Sequence, residues 1–218
     1  MKDFLPIELD PVKARVELME FDRLLRSKSD LDENTDIKPF FEARHNLSAL
    51  IGGVGSMLPD CDRIAFQYQL FGDFSCDLVI GDSTWFSFGF VEWEEARPQS
   101  LFRKQGQKAT PEWSKTLNEA HSQIIDWLWK LDDMTATEDF RSRFGNSSIQ
   151  AFGLIVIGRD ESLKHPREEK RWRWRSTNTE CGGSSIFCLT YDQLYRFLKS
   201  RFTLYDRSEQ NEQDQPDD

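Results

Sequence analysis

Acidic residues stand in two apolar segments that would otherwise be predicted as buried strands. Asp77 begins the run "DLVIG", and Glu92, Glu94 and Glu95 lie near the end of "FSFGFVEWEEA". Transferring an ionised carboxylate out of water is costly unless the group is paired with a cation or bound to a metal. These four carboxylates therefore either face solvent at a strand end or form a site.

The spacing of the glutamates favours a site for a cation. Residues two apart on a strand share a face, so Glu92 and Glu94 project together while Val91 and Trp93 pack the other way. If a hairpin brings Asp77 alongside, three hard oxygen ligands converge. Mg²⁺ is typically held by one or two carboxylates together with water and phosphate oxygens. Such an ion activates water and neutralises charge on a phosphodiester, which is the chemistry of a nuclease.

The hairpin register decides between this site and a strand end in solvent. A tight four-residue turn at 81–84 would place Asp77 opposite Phe88, too far from Glu92 to share an ion. A wider loop or a bulge between the two strands is therefore required. Without it, the glutamates are ordinary hydrated residues.

A second candidate surface is basic and aromatic. The segment "KHPREEKRWRWR" has six basic residues against two acids and is predicted as a polar connection, not part of the core. Arginine contacts phosphates and tryptophan stacks on bases, which suits single strands or frayed duplex. The candidate contacts are Arg171, Arg173 and Arg175, with Trp172 and Trp174 between them. A solvated loop or an oligomer contact is the alternative.

A basic loop adds to this candidate surface. The segment "RPQSLFRKQGQKATPE" supplies Arg103, Lys104 and Lys108 close to the acidic cluster along the chain. The net charge of the chain is −10, which argues against indiscriminate, tight binding to DNA.

Helices and strands that must hold these residues can be predicted from periodicity. Helices are expected at about 11–26, with an apolar stripe of Val12, Val16, Met19 and Leu24/Leu25, at 38–51, and at 113–131. A last helix begins at "YDQL", where Thr190 and Gln193 form a capping-box pattern.

Five strands are expected between the helices. "RIAFQYQLFG", "CDLVIG" and "FSFGFVEW" form an antiparallel meander, "IQAFGLIVIG" is apolar throughout, as a central strand is, and "SIFCL" follows it. The predicted fold is an α/β sandwich around a mixed, largely antiparallel sheet.

Composition limits where the protein can be located and which metal it can bind. No run approaches the length of about 18 apolar residues that a membrane helix needs, and the start has no signal-peptide core, so a cytoplasmic protein is expected. Four cysteines without a CxxC pair and three histidines give poor support to a zinc site. The segment 205–218 holds six acids against Arg207 alone and is predicted to be disordered.

The predicted strands and helices resemble the core of PD-(D/E)XK nucleases, with an Asp on the second meander strand, an acidic pair on the third strand and a helix behind the sheet. They resemble most closely the nuclease domains of Shedu, a bacterial anti-phage defence system. The similar segments, in the order of the family over about 33–200, are "PFFEARHNLSALIG", "CDLVIGD", "FVEWEEA", "EAHSQIIDWL", "LIVIGRDES" and "CLTYDQL".

The resemblance implies a metal-dependent DNA endonuclease that uses Mg²⁺ or Mn²⁺. Asp77 and Glu92 correspond to the metal-binding acids, Gln123 to the glutamine on the helix behind the sheet, and Glu33 to an accessory acid before the first core helix. Glu94 stands where the family pattern has a lysine that positions the attacking water or stabilises charge, and it is kept in the catalytic set. The implied domains are an amino-terminal helix and linker at 1–32 and the nuclease-like domain at 33–204.

Two functions stay open at this point. The first is an active endonuclease whose partner is DNA, either as ends or as single strands. The second is a catalytically inactive relative that binds nucleic acid or protein, favoured by the lysine missing at Glu94. In both cases a homo-oligomer is expected. A regulatory protein partner is also expected, because the stretch before Glu33 is short for the sensing region of larger Shedu proteins.

Overall fold

The computed structural model describes residues 3–58, 60–104 and 110–213, with side chains up to 203. The predicted contact residue Lys108 lies outside the described residues. Every helix in the described ranges is too short or too polar to span a bilayer.

Seven α-helices lie in these ranges. They are α1 (Pro11–Ser27), α2 (Lys38–Glu42), α3 (His45–Leu50), α4 (Lys115–Met134), α5 (Glu138–Phe144), α6 (Pro166–Thr177) and α7 (Tyr191–Gln213). A π-helical turn, Glu33–Ile37, leads directly into α2, and a 3₁₀ segment, Ile51–Ser56, follows α3.

Nine strands accompany the helices. They are β1 (Leu5–Pro6), β2 (Arg63–Leu70), β3 (Phe74–Asp82), β4 (Ser87–Trp93), β5 (Phe102–Arg103), β6 (Glu112–Trp113), β7 (Gln150–Val156), β8 (Thr179–Cys181) and β9 (Ser184–Leu189). Strands β5 and β6 pair only with each other, and the other seven form one sheet.

The main sheet is mixed and mostly antiparallel, in the order β1-β2-β3-β4-β7-β9-β8. Only the pairs β4–β7 and β7–β9 are parallel. One core lies between the sheet and α1, α2, α3 and α7, and a second lies between the sheet and α4, α5 and α6. The predicted α/β sandwich is therefore confirmed.

Strand β7 is the predicted central strand, and its packing explains why its sequence is apolar. Leu154 and Val156 belong to the first core, and Ile155 and Ile157 belong to the second. Both faces of the strand are covered by helices, so both faces are apolar after the exposed Gln150 at its start.

The segment predicted as a polar connection is helix α6. Pro166 occupies its first turn, and the His165 side chain accepts a hydrogen bond from the backbone N–H of Arg167 at 3.3 Å. Trp172 and Ser176, four residues apart, are the buried positions. The helix was not predicted from sequence because Trp172 is its one large buried residue and arginines flank it, so the apolar periodicity is weak.

The apolar stripe predicted for α1 is correct at Leu25, which is buried, but wrong at its first three positions. Val12, Val16 and Met19 are 74%, 52% and 61% exposed. The buried face is Ala14, Leu18, Phe21 and Leu25, which has the same helical spacing. Two stripes of equal period compete in this sequence, and the one that carries the phenylalanine packs inward.

The predicted helix at 38–51 is divided into α2 and α3, because the chain leaves helical geometry at Arg44. At the other end of the chain, the backbone of α7 is helical to Gln213 and so includes 205–213 of the segment 205–218 predicted to be disordered; residues 214–218 lie outside the described residues. The capping box of α7 is present. Thr190 Oγ1 accepts from the N–H of Gln193 at 3.1 Å, and Gln193 Oε1 accepts from the N–H of Thr190 at 3.0 Å.

Candidate active site

The hairpin of β3 and β4 brings the predicted acids together. Leu78 pairs with Val91 and Asp82 pairs with Ser87, across a loop of residues 83–86. Continued by one residue, this register places Asp77 opposite Glu92. The wider loop or bulge expected between these strands is therefore not formed, because a loop of the same four-residue length lies two residues further along, at 83–86 instead of 81–84.

Asp77 lies at an irregularity in the sheet. Its neighbour Cys76 packs in the second core and Leu78 in the first, although residues two apart on a regular strand share a face. On β2, Gln67 has φ +49°, a left-handed conformation that favours glycine, and it has no ladder partner. Its Nε2 donates to Asp77 Oδ1 at 3.0 Å, and the N–H of Trp93 donates to Oδ2 at 3.0 Å. The carboxylate is thereby fixed from both neighbouring strands.

A lysine that the sequence analysis did not identify occupies this site. Lys38, at the start of α2, places Nζ 2.7 Å from Asp77 Oδ1 and 2.6 Å from Glu33 Oε1. Burial disfavours its charge, but hydrogen bonds to the two carboxylates more than compensate and raise the pKa of Lys38. The one sequence signal for this role is the position of Lys38 in the first turn of a helix, where a cation is unfavourable.

Glu33 is positioned near the site by a short β-bridge that joins Leu31 to Ala96, just after the glutamates. Leu31 and Ala96 exchange two backbone hydrogen bonds, at 3.0 and 2.9 Å. Asp32 then caps the π-helical turn by accepting from the N–H groups of Asn34 and Thr35. The structure thus places the predicted accessory acid beside Lys38.

Glu92 is buried, and α4 determines its orientation. Gln123 Nε2 donates to Glu92 Oε1 at 2.6 Å. The next residue, Ile124, packs directly on Gly153 of β7, where an added Cβ would lie 2.3 Å from its Cγ2. Only glycine permits this approach, which brings Gln123 to the sheet. Burial first, and then the charges of Asp77 and Glu94, raise the pKa of Glu92 to about 9.

Glu94 is also buried and lies at the same edge. Its N–H donates to Val156 O at 2.9 Å, and its carbonyl accepts from the hydroxyl of Tyr191 at 2.6 Å. Burial, followed by the charges of Glu33 and Asp77, raises the pKa of Glu94 to about 8. Both glutamates therefore hold protons near neutral pH.

This donor set fits a hard cation bound by two carboxylates. The raised pKa values arise from burial first and from neighbouring carboxylates second, and a divalent ion would offset the negative charge while displacing protons. Among the described residues, no group of three or more His, Cys, Asp or Glu side chains is arranged to hold a metal. Asp77 and Glu92 with water fit the way Mg²⁺ is usually bound, whereas the expected convergence of three ligands is not formed.

The two basic surfaces predicted from sequence meet at one tryptophan. The guanidinium groups of Arg171 and Arg175 lie 4.7 and 4.9 Å from the ring centroid of Trp113. Arg103, which pairs with Glu112 at 3.3 Å, lines a hollow with Trp113 and Arg171. Strands β5 and β6 and helix α6 therefore contribute to one continuous surface.

A groove of about 970 Å³ runs along this basic surface. Arg171 and Arg175 line it, although both are held within the fold by bonds to Pro111 O at 2.7 Å and to His121 Nε2 at 2.9 Å. Arg173 and Trp174 project outward, with the side chain of Arg173 74% exposed and Trp174 73% exposed. Lys104 is exposed as well.

The prediction that Trp172 stacks on bases is wrong. Trp172 is buried, and its Nε1 donates to Gln193 Oε1 at 2.9 Å. Alternate residues of a helix point to different sides, so of the two tryptophans in "RWRWR" only Trp174 can contact a ligand.

The segments "VIGRD" and "TYDQL" join β7 and α7 behind the site. Arg159 pairs with Asp192 through two bonds, at 2.9 and 3.0 Å, and donates to Leu25 O at 3.0 Å. Together with the bond from Tyr191 to Glu94, this arrangement fixes the carboxyl-terminal end of β4. Sequence reasoning gave these residues no structural role.

A family model described as Shedu protein SduA, C-terminal, matches residues 30–195. No curated protein matches the chain. The matched range includes Glu33, Lys38, Asp77, Glu92 and Gln123, and therefore the acidic site as well as α4 behind it. On this match, the chain belongs to the Shedu family.

Proposed function

We propose that this protein is a metal-dependent DNA endonuclease of PD-(D/E)XK type that acts in bacterial anti-phage defence. One observation carries the proposal: the register of β3 and β4 sets Asp77 against Glu92, and each carboxylate is oriented by an amide from a neighbouring element. An incidental acidic strand end would not be buried and held in this way.

Asp77 and Glu92 are the residues that would hold Mg²⁺ or Mn²⁺. When bound, the ion supplies positive charge to the phosphate and lowers the pKa of water. The residues of the chain supply orientation: Gln67 and the N–H of Trp93 fix Asp77, and Gln123 fixes Glu92. These bonds hold both carboxylates in a fixed orientation before the ion and the substrate bind.

Hydrolysis also requires a proton transfer. Water adds its oxygen to phosphorus and loses a proton, one bridging P–O bond breaks, and the leaving oxygen takes up a proton. Glu94, whose pKa is about 8, holds a proton near neutral pH and would donate it to the leaving oxygen, after which the proton lost by the water would protonate Glu94 again.

The basic groove is the proposed DNA-binding surface. Arg103, Lys104, Arg171, Arg173 and Arg175 would contact phosphates, and Trp174 would stack on a base of a single strand or frayed end. Arg175 donates to Asn118 Oδ1 of α4 at 3.1 Å. The same helix carries Gln123, which links this surface to the acidic site.

Assembly of the protein is part of the proposal. The exposed residues Val12, Val16 and Met19 form an apolar stripe along α1, on the side of the helix turned away from its own core. Such a stripe supports a homo-oligomer, because exposed apolar surface in a row favours contact with another chain. A regulatory protein partner is proposed on the same grounds.

A catalytically inactive binding module is the second candidate function. The observation that favours it is Glu94, which stands where the family pattern has lysine. Such a protein would bind nucleic acid through the groove and leave the phosphodiester intact.

A cleavage assay separates the two functions. Wild-type protein is incubated with linear duplex, circular duplex and single-stranded DNA, each with Mg²⁺, Mn²⁺ or EDTA. We expect cleavage that requires the divalent ion. Binding to the same DNA with no cleavage under any condition supports the inactive module instead.

A further inference from the structure

The ammonium of Lys38 lies between two carboxylates that come from different elements. It donates to Asp77 Oδ1 of β3 at 2.7 Å and to Glu33 Oε1 at 2.6 Å. An ammonium has three donors, and within the described part of the chain these two bonds use two of them, so one donor is available to a ligand. The Lys38 side chain is 19% exposed, which leaves it accessible from solvent.

Helix α2 is fixed against the strand segment that bears the catalytic candidates. Phe41 stacks on Trp93, with ring centroids 4.2 Å apart and an angle of 12° between the planes. Trp93 is the residue between Glu92 and Glu94, so the contact sets α2 relative to both glutamates. The position of Lys38 is thus built by packing and does not depend on its ion pairs alone.

We propose that Lys38 is a catalytic residue of this site, whose ammonium contacts the phosphate oxygens of the bound phosphodiester, and that Glu33 is its positioning residue. This inference rests on the proposed function. Negative charge develops on phosphate oxygens in the transition state, and a preorganised ammonium stabilises it. The charge that a lysine at position 94, directly after β4, would supply comes instead from α2.

The arrangement implies competition between Lys38 and a metal ion. Asp77 Oδ1, which now accepts from Lys38, is an oxygen of the carboxylate proposed to bind the ion. An ammonium nearby disfavours a divalent cation by like-charge repulsion. Removal of the Lys38 charge should therefore strengthen Mn²⁺ binding while it weakens catalysis. A purely structural ion pair would not produce these opposite effects.

The test compares Lys38→Met with a matched control, Lys130→Met. Lys130 is also mostly buried, with a side chain 12% exposed, and pairs with Asp73 at 2.6 Å away from the acidic site. Turnover of DNA, Mn²⁺ affinity by calorimetry and thermal melting are measured for each variant. For Lys38→Met we expect turnover to fall about 100-fold and Mn²⁺ to bind more tightly. Lys130→Met should change melting alone.

Two further variants keep the test informative. Lys38→Arg retains the charge and should keep more turnover than Lys38→Met. The double variant Lys38→Met/Glu94→Lys moves the ammonium to β4 and should recover part of the lost turnover. Recovery would show that charge at the site, and not the fold of α2, limits the reaction.

Three results would overturn the inference. Turnover of Lys38→Met within about threefold of wild type removes its catalytic role while leaving the nuclease proposal intact. Loss of turnover together with weaker Mn²⁺ binding shows that Lys38 only maintains the metal site. Absence of cleavage by wild-type protein under every condition rejects the proposed function and this role together.

Discussion

The amide of Gln123 donates to Glu92 Oε1 across 2.6 Å, a bond that joins α4 to the acidic edge of the sheet. The bond favours the ionised form of Glu92 and opposes the effects of burial and neighbouring charge on its pKa. The α4 helix therefore orients the carboxylate and also makes it easier to deprotonate for a cation.

Replacing this glutamine should weaken metal binding without disrupting the fold. In Gln123→Ala the pKa of Glu92 rises further, so more free energy is needed to release its proton to a metal. We expect Mn²⁺ affinity at pH 7 to fall about tenfold, measured by calorimetry. The control is Ser122→Ala, a change at the adjacent exposed position of α4. Unchanged Mn²⁺ affinity in Gln123→Ala would remove its proposed role.

The protonated glutamates predict a particular dependence of stability on pH. The pKa of Glu92 rises from 4.5 to about 9 on folding, so the folded state binds more protons than the unfolded state between these values. Its contribution to stability is complete below pH 4.5 and is lost as the pH rises towards 9.

The variant Glu92→Gln lacks this titrating group. Its stability relative to wild type should therefore increase as the pH rises. In EDTA we expect its melting temperature to exceed that of wild type by at least about 2–4 °C at pH 9, and by less at pH 5. Glu138→Gln, whose side chain is 93% exposed, is the control. A constant difference between variant and wild type across this range would contradict the assigned pKa.

Glu94 can be tested by comparing two replacements. Glu94→Lys retains a group able to stabilise charge, although it lies near Lys38, and should keep measurable cleavage with an altered metal preference. Glu94→Ala supplies neither charge nor a proton, so it should lose more cleavage activity than Glu94→Lys. Turnover of both variants under Mg²⁺ and Mn²⁺ gives the order. Equal activity in Glu94→Ala and wild type would exclude Glu94 from the reaction.

DNA binding should depend on the outward-facing residues of α6. Replacing Arg171, Arg173 and Arg175 together should weaken binding and flatten its salt dependence, but Arg171 and Arg175 also hold the fold. Arg173→Ala is therefore the cleaner variant, and the slope of log affinity against log salt should fall by about 0.7–0.9. Arg141→Ala on α5 is the control, and a slope equal to wild type in Arg173→Ala would assign α6 to another role.

Trp174 makes a separate prediction for single strands. Base stacking is worth about 1–3 kcal/mol per base, so Trp174→Ala should weaken binding to single-stranded DNA by that amount with little change in salt slope. Fluorescence anisotropy of a labelled oligonucleotide measures both quantities. Affinity unchanged by the substitution would leave only phosphate contacts in the groove.

The sheet could be predicted from sequence because its signals are local. Strands β2, β3, β4, β7 and β9 each carry apolar periodicity or an apolar run bounded by turn residues, and the capping box at Thr190 is a short pattern. The pairing of Asp77 with Glu92 needed neither the wider loop nor the bulge expected from sequence, because the four-residue loop between β3 and β4 lies two residues further along. Helix α6 was missed because one buried tryptophan makes too narrow a stripe.

The neighbourhood of Asp77 could not be predicted in the same way. Lys38 and Gln67 reach it from positions 39 and 10 residues away, and no periodicity connects them with Asp77. The left-handed backbone at Gln67 breaks a strand that otherwise appears regular. Side chains that converge from separate elements depend on tertiary packing, such as the stacking of Phe41 on Trp93, which no local pattern encodes.

Turnover of Glu92→Ala under Mn²⁺ tests the nuclease assignment most directly. Glu92 is buried at the centre of the site, and its loss removes a metal ligand while leaving the other site residues in place. Wild type, Glu92→Ala, Glu92→Lys and the exposed control Glu138→Ala are compared on DNA, with thermal melts to confirm folding. We expect both Glu92 variants to remain folded and to lose cleavage, while Glu138→Ala retains it. Equal cleavage by Glu92→Ala and wild type would contradict the assignment of a nuclease to this site.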